Sequence, residues 1–397
     1  MPSSGRAEMR RLLVVLTLAG LALPSLAEWR AELSTQVREH PQSALDARQH
    51  DRSASVSLLA EYFTEWDEGA QSFVFKPFLR LDSHDHKRSH VDIREAVWIR
   101  AGDSWEMRVG IDKVFWGVTE VNHLVDIINQ TDLVENPDGE AKLGQPLVKL
   151  SLERDWGTLD AYLMPYFRER TFPGIEGRLR THPRVDVDQA VFDRHYPSAA
   201  LRWSRSFDDI DLGLAHFHGT SRDPRFELGL DGGGNPVLVP HYDTIDQTSI
   251  DLQATLDDWL WKFEGIHRSG RGKSYFAATG GFEYTLVGIG DSDADLGILL
   301  EAMVDERGDS APTPFNHDIF LGLRWVANDV DGTEVLGGVM VDWKQQTRFF
   351  NLEASRRIGA AWKASLQMRA WSGVDATDAA YMLRQDDYIE ANLTRYF

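Results

Sequence analysis

Apolar and polar residues alternate one for one along much of this chain. In "SWEMRVGID", residues 104–112, Trp105, Met107, Val109 and Ile111 stand on one side and Glu106, Arg108, Gly110 and Asp112 on the other. The same pattern recurs in "TSIDLQATL" at 248–256 and in "AWKASLQMRA" at 361–370, where Leu366 and Met368 oppose Gln367 and Arg369. A two-residue period is the signature of a strand with one greasy and one wet face. The runs last about 9 to 14 residues, longer than the ~5–6 usual in globular sheets and close to the length of a tilted strand crossing a bilayer. They predict strands at 28–40, 53–66, 71–82, 89–100, 104–115, 146–154, 158–168, 197–206, 210–220, 243–256, 259–268, 274–287, 294–304, 316–329, 333–343, 347–357, 361–371 and 384–397. The total of about 18 is an even number, as in outer-membrane barrels.

The connections sort themselves by length. Tight turns such as "DEGA" at 67, "AGD" at 101, "DWG" at 155 and "DD" at 257 fall at one end of the predicted strands. The long segments 41–52, 116–145, 169–196, 221–242, 305–315 and 372–383 fall at the other. Short turns at one end and long loops at the other are the asymmetry of a transmembrane barrel, with turns in the periplasm and loops outside. The expected fold class is therefore all-β: one antiparallel transmembrane β-barrel over residues 28–397. The segments 1–27, with Arg6, Arg10 and Arg11 before an apolar run from Leu12 to Leu23 and small residues at Ser25 and Ala27, read as a signal peptide removed after Ala27.

Composition narrows the partners. The chain of 397 residues has no cysteine, which leaves no disulfide, thiolate metal site or thiol nucleophile, and its formal charge of −20 argues against nucleic acid. Window hydropathy offers no later spanning helix, but a barrel hides its lipid face in every second residue. Trp98, Trp105, Trp116, Trp203, Trp259, Trp261, Trp325, Trp343, Trp362 and Trp371 lie mostly near predicted strand ends, as expected of girdles at the two lipid–water boundaries.

The last strand ends "YIEANLTRYF", with Ile389, Ala391, Leu393 and Phe397 in one register. It resembles the C-terminal signal of Gram-negative outer-membrane proteins, although Arg395 stands where that pattern usually has an apolar residue. The resemblance implies recognition by the barrel-assembly machinery and a setting of outer-membrane lipid and lipopolysaccharide. "RVGIDKVFWGVTEVNHLVDIINQTDL" looks like a segment of uncharacterised porin-like proteins of proteobacteria, in which R-V-G and V-x-W-G precede a loop containing I-N and Asp. That likeness implies fold and location, and no substrate.

Register assigns Arg94, Arg100, Arg108, Arg324 and Arg369 to the lumen, among acids that include Glu264, Glu283, Glu301 and Glu353. The loop 116–145 is expected to matter most, because about 30 residues without purpose are rare. Its "EVNHLVDII" predicts two helical turns with Val121, Leu124, Val125 and Ile128 on one face. An apolar face outside a cell has to be buried, so the loop is expected to fold inward as a constriction. That would set Asp126, Asp132 and Glu135 opposite Arg94, Arg100 and Arg108.

Catalytic motifs are absent: there is no G-x-S-x-G, no H-E-x-x-H and no phosphate loop. His216, His218 and Ser221 lie close in sequence but read as ordinary strand residues. The acidic stretches 132–140 and 230–236 lack EF-hand spacing and read as turns. No catalytic residue, metal or cofactor is expected. The function expected is passive diffusion of small polar or acidic solutes through a porin-like channel in the outer membrane. The alternatives are a channel exporting an acidic polysaccharide and a non-conducting outer-membrane enzyme or surface protein. A TonB-dependent transporter, with 22 strands and a plug, does not fit the length.

Overall fold

The computed structural model describes residues 27–397. The expected leader lies outside the described residues except for Ala27, which opens the first strand. Eighteen strands form one antiparallel sheet that closes on itself. In chain order they are β1 (Ala27–Glu39), β2 (Arg52–Trp66), β3 (Gln71–Asp82), β4 (His90–Gly102), β5 (Trp105–Asp112), β6 (Gln145–Arg154), β7 (Gly157–Met164), β8 (Ser198–Phe207) and β9 (Ile210–Thr220). After a separate hairpin of β10 (Arg225–Leu230) and β11 (Pro236–His241) come β12 (Thr244–Leu256), β13 (Trp259–Ser269), β14 (Tyr275–Leu286), β15 (Asp295–Asp305) and β16 (His317–Val326). The last four are β17 (Glu334–Asp342), β18 (Arg348–Ile358), β19 (Trp362–Ser372) and β20 (Tyr388–Tyr396). Each barrel strand pairs with the next, β9 pairs with β12, and β1 pairs with β20, so no sheet edge remains.

The expected strands stand within a few residues of these bounds, and the departures have local causes. β5 stops at Asp112 because Asn129 replaces the next rung: its side chain donates to the Asp112 carbonyl at 2.9 Å and accepts the Val114 N–H at 2.8 Å. The β10–β11 hairpin lies inside what reads in sequence as one long connection. Its turn is closed by Asp231, whose side chain accepts the N–H groups of Gly233 and Asn235, both at 2.9 Å.

The outer face carries Leu58, Leu79, Leu150, Leu201, Leu214, Phe263, Leu321, Phe350 and Leu366, all exposed. Such a belt is unstable in water and suits a bilayer, which the strands therefore span. At the short-turn end Trp66, Trp105, Trp156, Trp203, Trp259 and Trp362 ring the barrel, with the Trp203 indole donating to the Trp156 carbonyl at 3.1 Å. Arg395 lies here too, its guanidinium 5.3 Å from the Trp362 ring and 4.9 Å from that of Phe397. A cation held between rings at the lipid–water boundary keeps its charge wet while its stem lies on apolar surface. Two expected girdle residues belong elsewhere. Trp116 is buried inside the barrel, edge-on to Tyr162, and Trp371 pairs with Phe349 across the lumenal face.

One register expectation fails for a clear reason. Lys76 pairs with Glu95 but Pro77 pairs with Ile93, so a bulge leaves Arg94 without a ladder partner. Proline has no N–H to give the ladder, and bulges collect where it enters a strand. Beyond the bulge every side chain of β4 switches face. Arg100 lies opposite Met107 and beside Trp98, whose partner is Val109, and thus stands on the outer face near the short turns. It is not a lumenal residue.

Candidate lumenal site

The apolar residues of the segment 113–144, between β5 and β6, pack against the inner wall. Val125, Ile127 and Ile128 are buried with Trp116 against Tyr162, Met164, Phe217 and Ile266 of the inner wall. The two expected helical turns do not form. Backbone N–H groups of the loop go to two buried glutamates of the wall, and that of Val125, which a helix would turn to Val121, is among them. Glu264 on β13 accepts from Val118 at 2.7 Å, Thr119 at 3.1 Å and Val125 at 3.1 Å, and from the Thr119 hydroxyl at 2.8 Å. Glu301 on β15 accepts from Glu120 at 2.7 Å and Val121 at 3.0 Å. Charged acceptors in a low-dielectric interior outcompete backbone carbonyls, so the loop follows an irregular course of turns and bends.

The charged residues expected at a constriction come together only in part. Arg94 donates to Asp132 at 2.6 Å, and Asp132 also accepts the Thr171 hydroxyl at 2.6 Å. Glu135 is held by Arg80, at 2.8 Å and 2.7 Å, not by Arg94, Arg100 or Arg108. Asp126 pairs with Lys142 of its own loop at 2.9 Å and faces no wall arginine. Arg108 turns to Glu106 and Asp112 of its own strand, at 2.7 and 3.4 Å. Arg324 and Arg369 do reach the loop, through acids that sequence reasoning passed over: Arg324 meets Glu120 at 2.7 Å and Arg369 meets Asp138 at 2.9 Å.

Arg222, after β9, is a further fastening that sequence did not reveal. It is buried and donates to the carbonyls of Ile127 at 3.1 Å and Ile128 at 2.8 Å. Above, the connection 165–197 bends over the mouth. Arg178 donates to Asp386 at 2.6 Å and pairs with Asp51 at 2.7 Å, Arg180 meets Asp46 at 2.9 Å, and Asp85 accepts the Gly174 N–H at 3.0 Å.

His90, Asp132 and Glu135 bring one potential metal-ligating atom each within 4.8 Å of the others. Both carboxylates are already in charge-assisted bonds to Arg80 and Arg94, which a divalent ion would have to displace. The cluster is an ion-pair network. His216 and His218 lie on the outer face in register with exposed Leu214, and His218 bonds Asp246 at 2.8 Å. Ser221 is buried and donates to the Asp223 carbonyl at 2.9 Å, so the three residues do not converge.

The loop fills the sector of the lumen along β6–β9 and β12–β14. Opposite, between the loop and the inner face of β16–β19, a cavity of about 570 Å³ remains. Phe315, Phe320, Leu336, Met340, Phe349, Trp371, Glu353 and Arg369 line it on the wall side, and Glu120, Asp138 and Glu140 on the loop side.

No family model and no curated protein matches the sequence. Among solved structures, the chain is similar to Wzi of Escherichia coli, an outer membrane protein involved in group 1 capsule assembly and a carbohydrate-binding β-barrel. The TM-score is 0.53 at 10% identity, over 100% of this chain and 89% of that one. It is also similar to Pseudomonas aeruginosa OpdQ, with a TM-score of 0.52 at 11% identity over 94% of this chain and 97% of that one. At such identities the likeness is one of architecture: the chain shares the fold of outer-membrane barrels.

Proposed function

We propose that the protein is a porin-like channel of the outer membrane, through which small polar solutes diffuse past a constriction formed by the infolded loop. One observation carries the reading: a loop fastened to opposite walls, at Glu264, Glu301, Arg94 and Arg369, leaves a cavity of about 570 Å³ beside the inner face of β16–β19. A loop kept in the lumen by so many charge-assisted bonds narrows a path without closing the sheet around it. The wall charges along this path are mostly paired, so solute size, hydrogen bonding and the carboxylates left exposed beside the path govern selection. Planar-bilayer recording of the full chain tests the reading, with discrete conductance steps expected.

The second reading, a non-conducting surface protein, is favoured by the roof that Arg178 and Arg180 pin over the mouth. A correctly folded barrel that carries no current would select it.

A further inference from the structure

The lumenal faces of β18 and β19 form a ladder of cross-strand pairs, Phe349 opposite Trp371, Asn351 opposite Arg369 and Glu353 opposite Gln367. The aromatic rung has ring centroids 5.2 Å apart, tilted by 44°, and the polar rungs follow directly on the same face. Rungs on one face repeat every second residue, about 7 Å, roughly the breadth of a six-membered ring with its substituents.

The carboxylates around this ladder are presented in a particular way. The Glu353 side chain is 43% exposed and that of Glu140, on the infolded loop, 54%. Their cationic partners lie behind them: Arg369, 2.9 Å from Glu353, is 8% exposed, and His123, 2.9 Å from Glu140, is 15% exposed. A solute in the cavity therefore meets carboxylate oxygens before it meets the balancing cations. It also meets the faces of Phe349 and Trp371, with Phe315 and Leu336 beside them.

We infer that this cavity binds a hydroxylated ring carrying no negative charge, of the chemical class of a neutral sugar, amino sugar or cyclitol. The inference deepens the channel reading by naming a solute class, and rests on it only for access to the cavity. The C–H face of such a ring carries partial positive charge and lies well on the negative face of an aromatic ring. Its hydroxyls donate to the exposed oxygens of Glu140 and Glu353, which accept only. An acidic sugar would set its carboxylate against theirs. A plain aromatic molecule would stack but strip water from two carboxylates and give them no donor.

The test is calorimetric titration of the refolded full chain in detergent with methyl glucoside, glucosamine, glucuronate and benzyl alcohol. Methyl glucoside and glucosamine should bind, and glucuronate about tenfold or more weakly, a difference of about 1.4 kcal/mol or greater. Phe349→Leu and Trp371→Leu, each confirmed as folded by heat-modifiable migration, should each weaken methyl glucoside about tenfold. Glu353→Gln should narrow the gap between methyl glucoside and glucuronate. Glucuronate binding as tightly as methyl glucoside, benzyl alcohol binding in place of both neutral and amino sugars, or full affinity in the folded leucine variants would overturn the inference. If a variant does not fold, the order of affinities in the unmodified chain decides alone. Ion conductance without sugar binding would remove this site and leave the channel, whereas sugar binding without conductance would do the reverse.

Discussion

A carboxylate oxygen of Glu264 accepts the backbone N–H of Val118 at 2.7 Å, across 146 positions of chain. Glu264 is fully buried, and the same carboxylate also takes the N–H groups of Thr119 and Val125. This one side chain satisfies three loop N–H groups that have no strand or helix partner. Glu264→Gln keeps the shape but turns half of the acceptor into a donor that faces other donors. The barrel should still assemble and migrate in heat-modifiable form, with stability lower by about 2–4 kcal/mol. Urea unfolding in lipid measures the loss, and limited proteolysis should show new cleavage between 118 and 125. An unchanged midpoint and digest would mean that the loop is held elsewhere.

The lipid-face register gives a paired prediction on adjacent residues. Leu366 is exposed on the outer face of β19, whereas Gln367 faces the lumen and donates to Glu353 at 3.2 Å. Leu366→Arg places a cation against lipid, at a cost of about 2–4 kcal/mol near the bilayer midplane, and should cut assembly sharply. Gln367→Arg meets Glu353 and should be tolerated. The heat-modifiable fraction of each variant in isolated outer membranes is the readout, and equal damage from both would contradict the register.

The alternation that places Leu366 and Gln367 was legible because each strand of a barrel meets lipid on one side and water or packed polar groups on the other. The period of two survives wherever no bulge interrupts it. Arg100 shows the limit: Pro77 is visible in sequence, but the slip it induces falls on the neighbouring strand, between Ile93 and Glu95, and only the pairing reveals it. The inward course of the loop was legible from Val125 and Ile128, which had to be buried somewhere. Its irregular, non-helical shape was not, because the reason lies on β13 and β15, and no local pattern marks Glu264 or Glu301 as a partner of a distant backbone. The same holds for Arg80 with Glu135, and for Arg369 with Asp138, across 231 positions.

Titration of His123 gives a pH window. Burial opposes its charged form, but the Glu140 carboxylate at 2.9 Å and that of Glu264 at 3.8 Å prevail, and its pKa is pushed up to about 10 from an ordinary 6.5. A raised histidine pKa contributes stability that is fully present below about pH 6.5 and is lost as pH rises through about 10. Protease resistance of the loop should therefore fall progressively over that interval. His123→Gln should flatten the profile while leaving the barrel folded. A resistance that rises over the same interval would show the sign to be wrong.

The infolded loop can also be removed. Residues 120–140 carry the contacts to Glu301, Arg324, Arg94, Arg80 and Arg369, while the eighteen-strand ladder passes through none of them. Their deletion takes Val125, Ile127 and Ile128 out of the apolar cluster along β6–β9 and β12–β14 and opens that sector to water. The freed carboxylates and guanidinium groups become hydrated, so they no longer need partners, and the closed sheet keeps its hydrogen bonds. The variant should insert as a heat-modifiable barrel, less stable than the parent, with a larger single-channel conductance. Discrimination between neutral solutes of different size, measured by liposome swelling, should weaken in parallel. An intact barrel whose conductance and swelling rates match the parent's would place the rate-limiting narrowing elsewhere, with the roof formed by residues 165–197 as the next segment to remove.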